Sequence, residues 1–160
     1  GVFATGAMVL RGPEEFLIDF VQAMRHPPRV VARVVMSHRV MGQFVKAIKN
    51  NLAKYQQSFG PPKSAPKMSR EQPSIEKIYE DLKLPDELLC GAYANVIMVG
   101  HSHGEFLLDF VTQFFPKAAV SARVYVSASN MPGLLKTLST AHTHTPPKTP
   151  PNPSDDQMYS

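Results

Sequence analysis

Two apolar runs open the pattern, Phe3 to Leu10 and Tyr93 to Val99, both rich in small and β-branched side chains that suit a buried strand. A chain reversal follows each, at Leu10-Arg11-Gly12-Pro13 and at Gly100-His101-Ser102-His103-Gly104. Next comes an alternating stretch. Phe16, Ile18 and Phe20 fall on one side, as do Phe106, Leu108 and Phe110, so a second strand is predicted. A helix is the competing reading of residues 14–24, because Phe16, Leu17, Phe20, Val21 and Met24 also share a helical face. Gly12-Pro13-Glu14-Glu15 or Ser102-x-x-Glu105 would start it. Past the loops at Pro27-Pro28 and at Pro116, Val30 to Met36 and Val120 to Val126 are β-branched and strand-like. After Ser37 and Ser127, each a candidate N-cap, the period becomes helical: Val40, Met41, Phe44, Val45, Ile48 and Leu52, then Met131, Leu134, Leu135 and Leu138. The predicted unit is β-β-β-α.

The unit occurs twice. Residues 1–48 laid on 91–138, 90 positions further on and without a gap, are identical at 17 of 48 positions, where chance would give about three. Glu15-Phe16-Leu17-Ile18-Asp19-Phe20-Val21 matches Glu105-Phe106-Leu107-Leu108-Asp109-Phe110-Val111, and Val30-Val31-Ala32-Arg33-Val34 matches Val120-Ser121-Ala122-Arg123-Val124. The expected organisation is a first repeat at 1–60, a proline-rich linker at 61–90 with a short helix at 74–84, a second repeat at 91–141, and a disordered tail at 142–160. Gly1 already lies inside the first repeat pattern, which suggests residues upstream of it.

Three strands and a helix from about 50 residues leave open edges and a small core, so such a unit needs a partner. The expected fold is α+β, with the two repeats packed as an intramolecular pseudo-two-fold dimer. Their sheets would join edge to edge or face each other under the helices. The succession Tyr93-Ala94-Asn95-Val96, Glu105 to Phe110, Ser121 to Ser127 and an apolar helix resembles a short bacterial family catalogued as domain of unknown function 3467. The first repeat resembles it too, including the helix ending Asn51-Leu52-Ala53-Lys54-Tyr55-Gln56-Gln57-Ser58-Phe59-Gly60. It departs in having Phe3-Ala4-Thr5 in place of Tyr93-Ala94-Asn95, and the second repeat lacks that helix ending. The resemblance, over roughly 1–60 and 91–141, implies a fold and a bacterial origin but no activity.

Composition narrows the chemistry further. One cysteine, Cys90, excludes an internal disulfide and any cysteine-built zinc site, and no apolar run reaches the ~18–20 residues of a membrane span. A cytoplasmic protein without membrane contact and without cofactor is expected. No nucleophile elbow, phosphate loop or dinucleotide fingerprint is present, so the reading is non-enzymatic. Asp19 with Arg33, and Asp109 with Arg123, are read as structural ion pairs across neighbouring strands, with an anion-facing arginine as the alternative. His101, His103 and Glu105 form a candidate metal cluster that belongs to the second repeat alone, since Arg11, Pro13 and Glu15 stand in the first. Net charge is +4, and residues 1–60 hold the excess with eight Lys/Arg against three Asp/Glu. Arg39, Lys46, Lys49 and Lys54 are therefore the candidate nucleic-acid contacts. The leading expectation is a binding or assembly module with a protein partner or a second copy. Nucleic-acid binding by the basic face is the alternative.

Overall fold

The computed structural model describes residues 1–63, 79–80 and 82–144. The helix expected at 74–84 falls largely, and the tail beyond 144 wholly, outside the described residues. In chain order the elements are β1 (Val2–Ala4), β2 (Gly6–Arg11), β3 (Glu15–Gln22), β4 (Arg29–Ser37), α1 (His38–Phe59), β5 (Ala92–Tyr93), β6 (Val96–His101), β7 (Glu105–Phe114), β8 (Lys117–Ser127) and α2 (Met131–Thr143). The fold is mixed α+β. Among the described residues two four-stranded sheets form, in the orders β1-β8-β7-β6 and β2-β3-β4-β5. The contested segment is strand in both copies, because pairing with flanking strands on each side outweighs its helical start signals.

Where one strand is expected at the start of each copy, two form. The first apolar run of each copy is interrupted, at Thr5 in the first and at Ala94-Asn95 in the second, and its two halves join different sheets. β1 pairs in parallel with β8 of the second copy, while β5 pairs in parallel with β4 of the first. The registers correspond: Val124 lies opposite Val2, and Val34 lies opposite Ala92. Each copy is thus β-β-β-β-α. The splitting residues are Thr5 and Asn95, which anchor the crossing chain to the copy's own sheet. Thr5 N–H donates to the Val21 carbonyl at 2.8 Å and its hydroxyl accepts from Ala23 N–H at 3.0 Å. Asn95 N–H donates to the Val111 carbonyl at 3.0 Å, its amide donates to the Gln113 carbonyl at 2.9 Å, and its Oδ1 accepts from Gln113 N–H at 2.8 Å. Ala4 and Ala94, just before the crossings, are fully buried. A larger side chain there would meet a close-packed interior.

The helices cross over as well. α1 runs against β6 of the second copy, α2 runs against β2 of the first, and the two helices touch. Both β2 and β6 are sheet edges with unpaired backbone groups. Asn51 Nδ2 donates to the Val99 carbonyl at 3.0 Å and Tyr55 donates to the His103 carbonyl at 2.7 Å. Arg11 reaches the carbonyls of His142 and His144, at 3.2 and 2.7 Å, at the end of α2. A guanidinium there also suits the negative end of the helix dipole.

Helix starts differ between the copies. Ser37 caps α1, its hydroxyl accepting from Val40 N–H at 3.2 Å. Ser127 has no such bond to make, because a 3-10 turn at Ala128–Asn130 intervenes before α2, and its hydroxyl meets that of Ser129 at 3.1 Å. Pro132 in the first turn of α2 lacks the N–H that a cap would satisfy. At its other end α2 continues to Thr143, two residues beyond the expected end of the repeat. Pattern and burial agree in α1, where Val40, Met41, Phe44, Val45, Ile48, Leu52 and Tyr55 are buried.

One apolar cluster takes residues from both sheets and both helices. Phe20 and Phe110 meet across it with ring centroids 5.4 Å apart, and Phe44 of α1 stands edge-on to Phe110 at 5.3 Å. Such aromatic pairs add about 0.5–1.5 kcal/mol to what burial alone supplies. A shared core predicts shared unfolding. In urea titrations followed by helix ellipticity and tyrosine fluorescence, the two signals are expected to fall together, and Phe110→Ala to lower stability by about 3–5 kcal/mol without separating them.

Candidate functional site

The outer face of the first sheet carries Asp19 on β3 opposite Arg33 on β4. Arg33 donates from Nε at 2.7 Å and from Nη2 at 2.8 Å to the two carboxylate oxygens, and from Nη1 to the Leu89 carbonyl at 3.0 Å. All three guanidine nitrogens are therefore engaged. Tyr79 adds a third donor to Asp19 at 3.0 Å. The hydrogen bonds to Asp19 hold the Arg33 guanidinium above its ordinary value, with burial working against them. Burial first, and then the Asp19 carboxylate, push the Tyr79 hydroxyl from 10 up to about 12. Asp19 is wholly buried.

In the second copy Arg123 meets Asp109 in the same fork, from Nε at 2.7 Å and Nη2 at 2.8 Å. The setting is wetter, since the Arg123 side chain is 41% exposed against 11% for Arg33. The bonds to Asp109 again raise the guanidinium above its ordinary value. A cleft of about 350 Å³ opens between the two pairs, lined by corresponding residues of both copies, among them Gly1 with Gly91 and Arg33 with Arg123. Gly91 has φ of +74°, and a side chain there would come within 3.0 Å of Arg33. The two glycines and the stems of the two arginines thus form part of the cleft lining, with both guanidinium groups turned to carboxylates.

His101, His103 and Glu105 do not converge. His101 ends β6, and its Nδ1 meets Asn51 Oδ1 of α1. His103 sits in the following turn, its ring 4.8 Å from that of Phe59. Glu105 starts β7 and accepts from Ser102 Oγ at 2.7 Å. The two-residue spacing predicted a common face only if the strand continued, and the turn at Ser102–Gly104 ends it. Among the described residues no group of three or more His, Cys, Asp or Glu could hold a metal ion. Instead the histidines join Tyr55, Phe59 and Phe106 in an aromatic seam that seats the end of α1 on the second copy.

Arg39, Lys46, Lys49 and Lys54 are all exposed, and all lie on α1 opposite its buried stripe. At 100° per residue they spread over about 140° of the helix. The helix contains no Asp or Glu, so its outward face is positive along its length.

A further surface was not legible as a site. The β7–β8 hairpin projects with every residue from Gln113 to Ser121 exposed. Phe115 is fully exposed, Phe114 and Val120 more than half so, and Tyr93 stacks on Phe114 with centroids 6.4 Å apart. Pro116 marked only a loop. The available signal was Phe114-Phe115 at the turn itself, where polar residues are usual. Among the described residues no helix is long and apolar enough to cross a membrane.

A family model described as "Protein of unknown function (DUF3467)" matches the chain twice, over residues 1–64 and 62–144. No curated protein matches. No solved structure matches either.

The two ion pairs differ in what their loss would leave behind. Asp19→Ala leaves the half-buried Arg33 guanidinium and Tyr79 hydroxyl without the buried carboxylate they bond, and is expected to cost about 3 kcal/mol. Asp109→Ala leaves Arg123 able to rehydrate, with an expected cost of about 1 kcal/mol. Paired urea titrations of the two variants measure the difference.

Proposed function

We propose, for a chain that belongs to the DUF3467 family and carries that family's unit twice, a non-enzymatic binding or assembly module whose two copies form an intramolecular pseudo-two-fold dimer. The matching registers of the exchanged strands support the dimer, and so does the reciprocal seating of α1 on β6 and α2 on β2. The observation that carries the binding function is the apolar end of the second copy. Phe114, Phe115 and Val120 stand in water on a projecting hairpin. Exposed side chains of that size in one place mark an interaction surface, because burying each releases about 1.5–3 kcal/mol. The corresponding hairpin of the first copy ends in Met24-Arg25-His26-Pro27-Pro28 and has no such pair of aromatics.

A second reading draws on the first copy. Four exposed cations on a helix without an acid form a surface that nucleic-acid phosphates would neutralise. The two surfaces lie on different copies and are separable by mutation. The protein-binding reading expects that Phe114→Ser with Phe115→Ser removes whatever stoichiometric complex the wild type forms, with itself in light scattering or with a captured protein quantified against it. A wild type that stays monomeric at all concentrations and retains nothing overturns that reading. For nucleic acid, Lys46→Gln, Lys49→Gln and Lys54→Gln together are expected to weaken binding to labelled duplex DNA or single-stranded RNA about ten-fold or more. The salt dependence should fall by about two to three ions. Absence of any binding at low salt removes the second reading.

A further inference from the structure

The two copies treat the outer edge of their last strand differently. Along β4 that edge is closed twice. Ala92–Tyr93 pair with Val34 and Val35, and further back Lys83 forms a parallel bridge with Arg29. Val30 N–H donates to the Lys83 carbonyl at 2.9 Å, and Lys83 N–H donates to the Pro28 carbonyl at 3.2 Å. Leu82 is buried, Lys83 exposed and Leu84 half-buried, so the segment presents two leucines inward and a lysine outward. Beside it Val30 is 1% exposed.

Along β8 only the far half is closed. β1 covers Val124 to Val126, and among the described residues no strand lies beyond Lys117 to Arg123. The β7–β8 register repeats that of β3–β4 through the same irregularity, Phe110 opposite Ala122 and Val111 opposite Val120, as Phe20 is opposite Ala32 and Val21 opposite Val30. Val120 N–H and the Ala118 carbonyl therefore hold the positions that Val30 N–H and the Pro28 carbonyl hold when they bond Lys83. Val120 is 52% exposed.

We infer that the β8 edge at Ala118–Val120 accepts an extended peptide segment with two leucines spaced as in Leu82-Lys83-Leu84, which adds in parallel as Lys83 adds to β4. A bare strand edge with apolar side chains beside it recognises extended chain through backbone hydrogen bonds and gains specificity from alternate side chains. The first copy shows which side chains suit this register: leucine inward, a polar residue outward, leucine inward. The inference rests on the reading of the second copy's hairpin as a binding surface and names what that surface takes.

The test uses the whole chain, isotope-labelled, and a synthetic peptide of residues 82–90 carrying Cys90→Ser. Saturable amide shifts are expected at residues 117–123 and in the facing part of β7, with hydrogen exchange at the Val120 amide slowed at least ten-fold. A peptide with serine at both leucine positions should give neither. Val120→Glu should weaken the effect ten-fold or more at unchanged melting temperature. The wild-type titration decides by itself. No shift at 117–123, shifts centred on 28–31 where the chain's own segment already sits, or equal shifts with the serine peptide would each overturn the inference. If the Phe114→Ser, Phe115→Ser variant loses association while the peptide moves nothing, the hairpin binds through its side chains alone and only the strand addition falls. If that variant also changes nothing, both fall.

Discussion

Everything in this fold depends on a chain crossing. At Thr5 and at Asn95 the backbone leaves one sheet and enters the other, so neither sheet is complete without residues from the other copy. The pairing lost by removing a two- or three-residue strand is small in itself. Its consequence is larger, because β1 and β5 hold β8 and β4 in place over the shared core, where Phe20 and Phe110 meet. The helices extend the same logic, each covering an edge strand that its own copy does not contain. A unit built this way, taken alone, would leave strand edges and core side chains uncovered. Joining two of them in one chain makes the partner's effective concentration independent of protein concentration.

The exchange also explains what the charged pairs contribute. Asp19 and Asp109 sit on the outer faces of the sheets, one position from core residues on each side, where a lone carboxylate would be costly to bury. The bidentate arginine one strand over makes that position tolerable and locks the registry of neighbouring strands. Once locked, Arg33 extends its remaining nitrogen to Leu89, just before the Gly91 turn that delivers β5. The pair therefore holds the exchanged strand as well as the sheet. Its position between elements matters more than its charge.

Much of this was legible from residue pattern. The duplication follows from residue identity at a fixed offset, and the strand identity of the β-branched runs and the helical stripe of α1 follow from periods of two and near four, which tertiary context reinforced. The crossing was not legible, because a strand that changes sheet keeps the same apolar alternation on both sides of the change. Only the polar residue in each run, Thr5 or Asn95, together with the repeated Gly1/Gly91 and Ala4/Ala94, hinted at a break. The histidine cluster failed for a related reason: spacing predicts a shared face only within one continuous element, and Ser102–Gly104 is a turn. The exposed hairpin was hidden because a sequence pattern reports which residues could be buried and not whether anything arrives to bury them.

Fusion of two copies frees them to differ where a symmetric dimer could not. Tyr79, Leu82, Lys83 and Leu89 all attach to the first copy, closing its outer face and its β4 edge, and a single linker between two units serves only one of them. The first copy thereby becomes the drier half, with Asp19 and Val30 sealed, and it displays its charge on α1. The second copy keeps Arg123 half in water, a strand edge open among the described residues and a hairpin tipped with phenylalanine. A strand edge closed by the chain's own segment in one copy, with its counterpart uncovered among the described residues in the other, follows from a single linker lying against only one of two units. The asymmetry is thus a property of the connection between the copies, and the surface left open is the one to which function is most readily assigned.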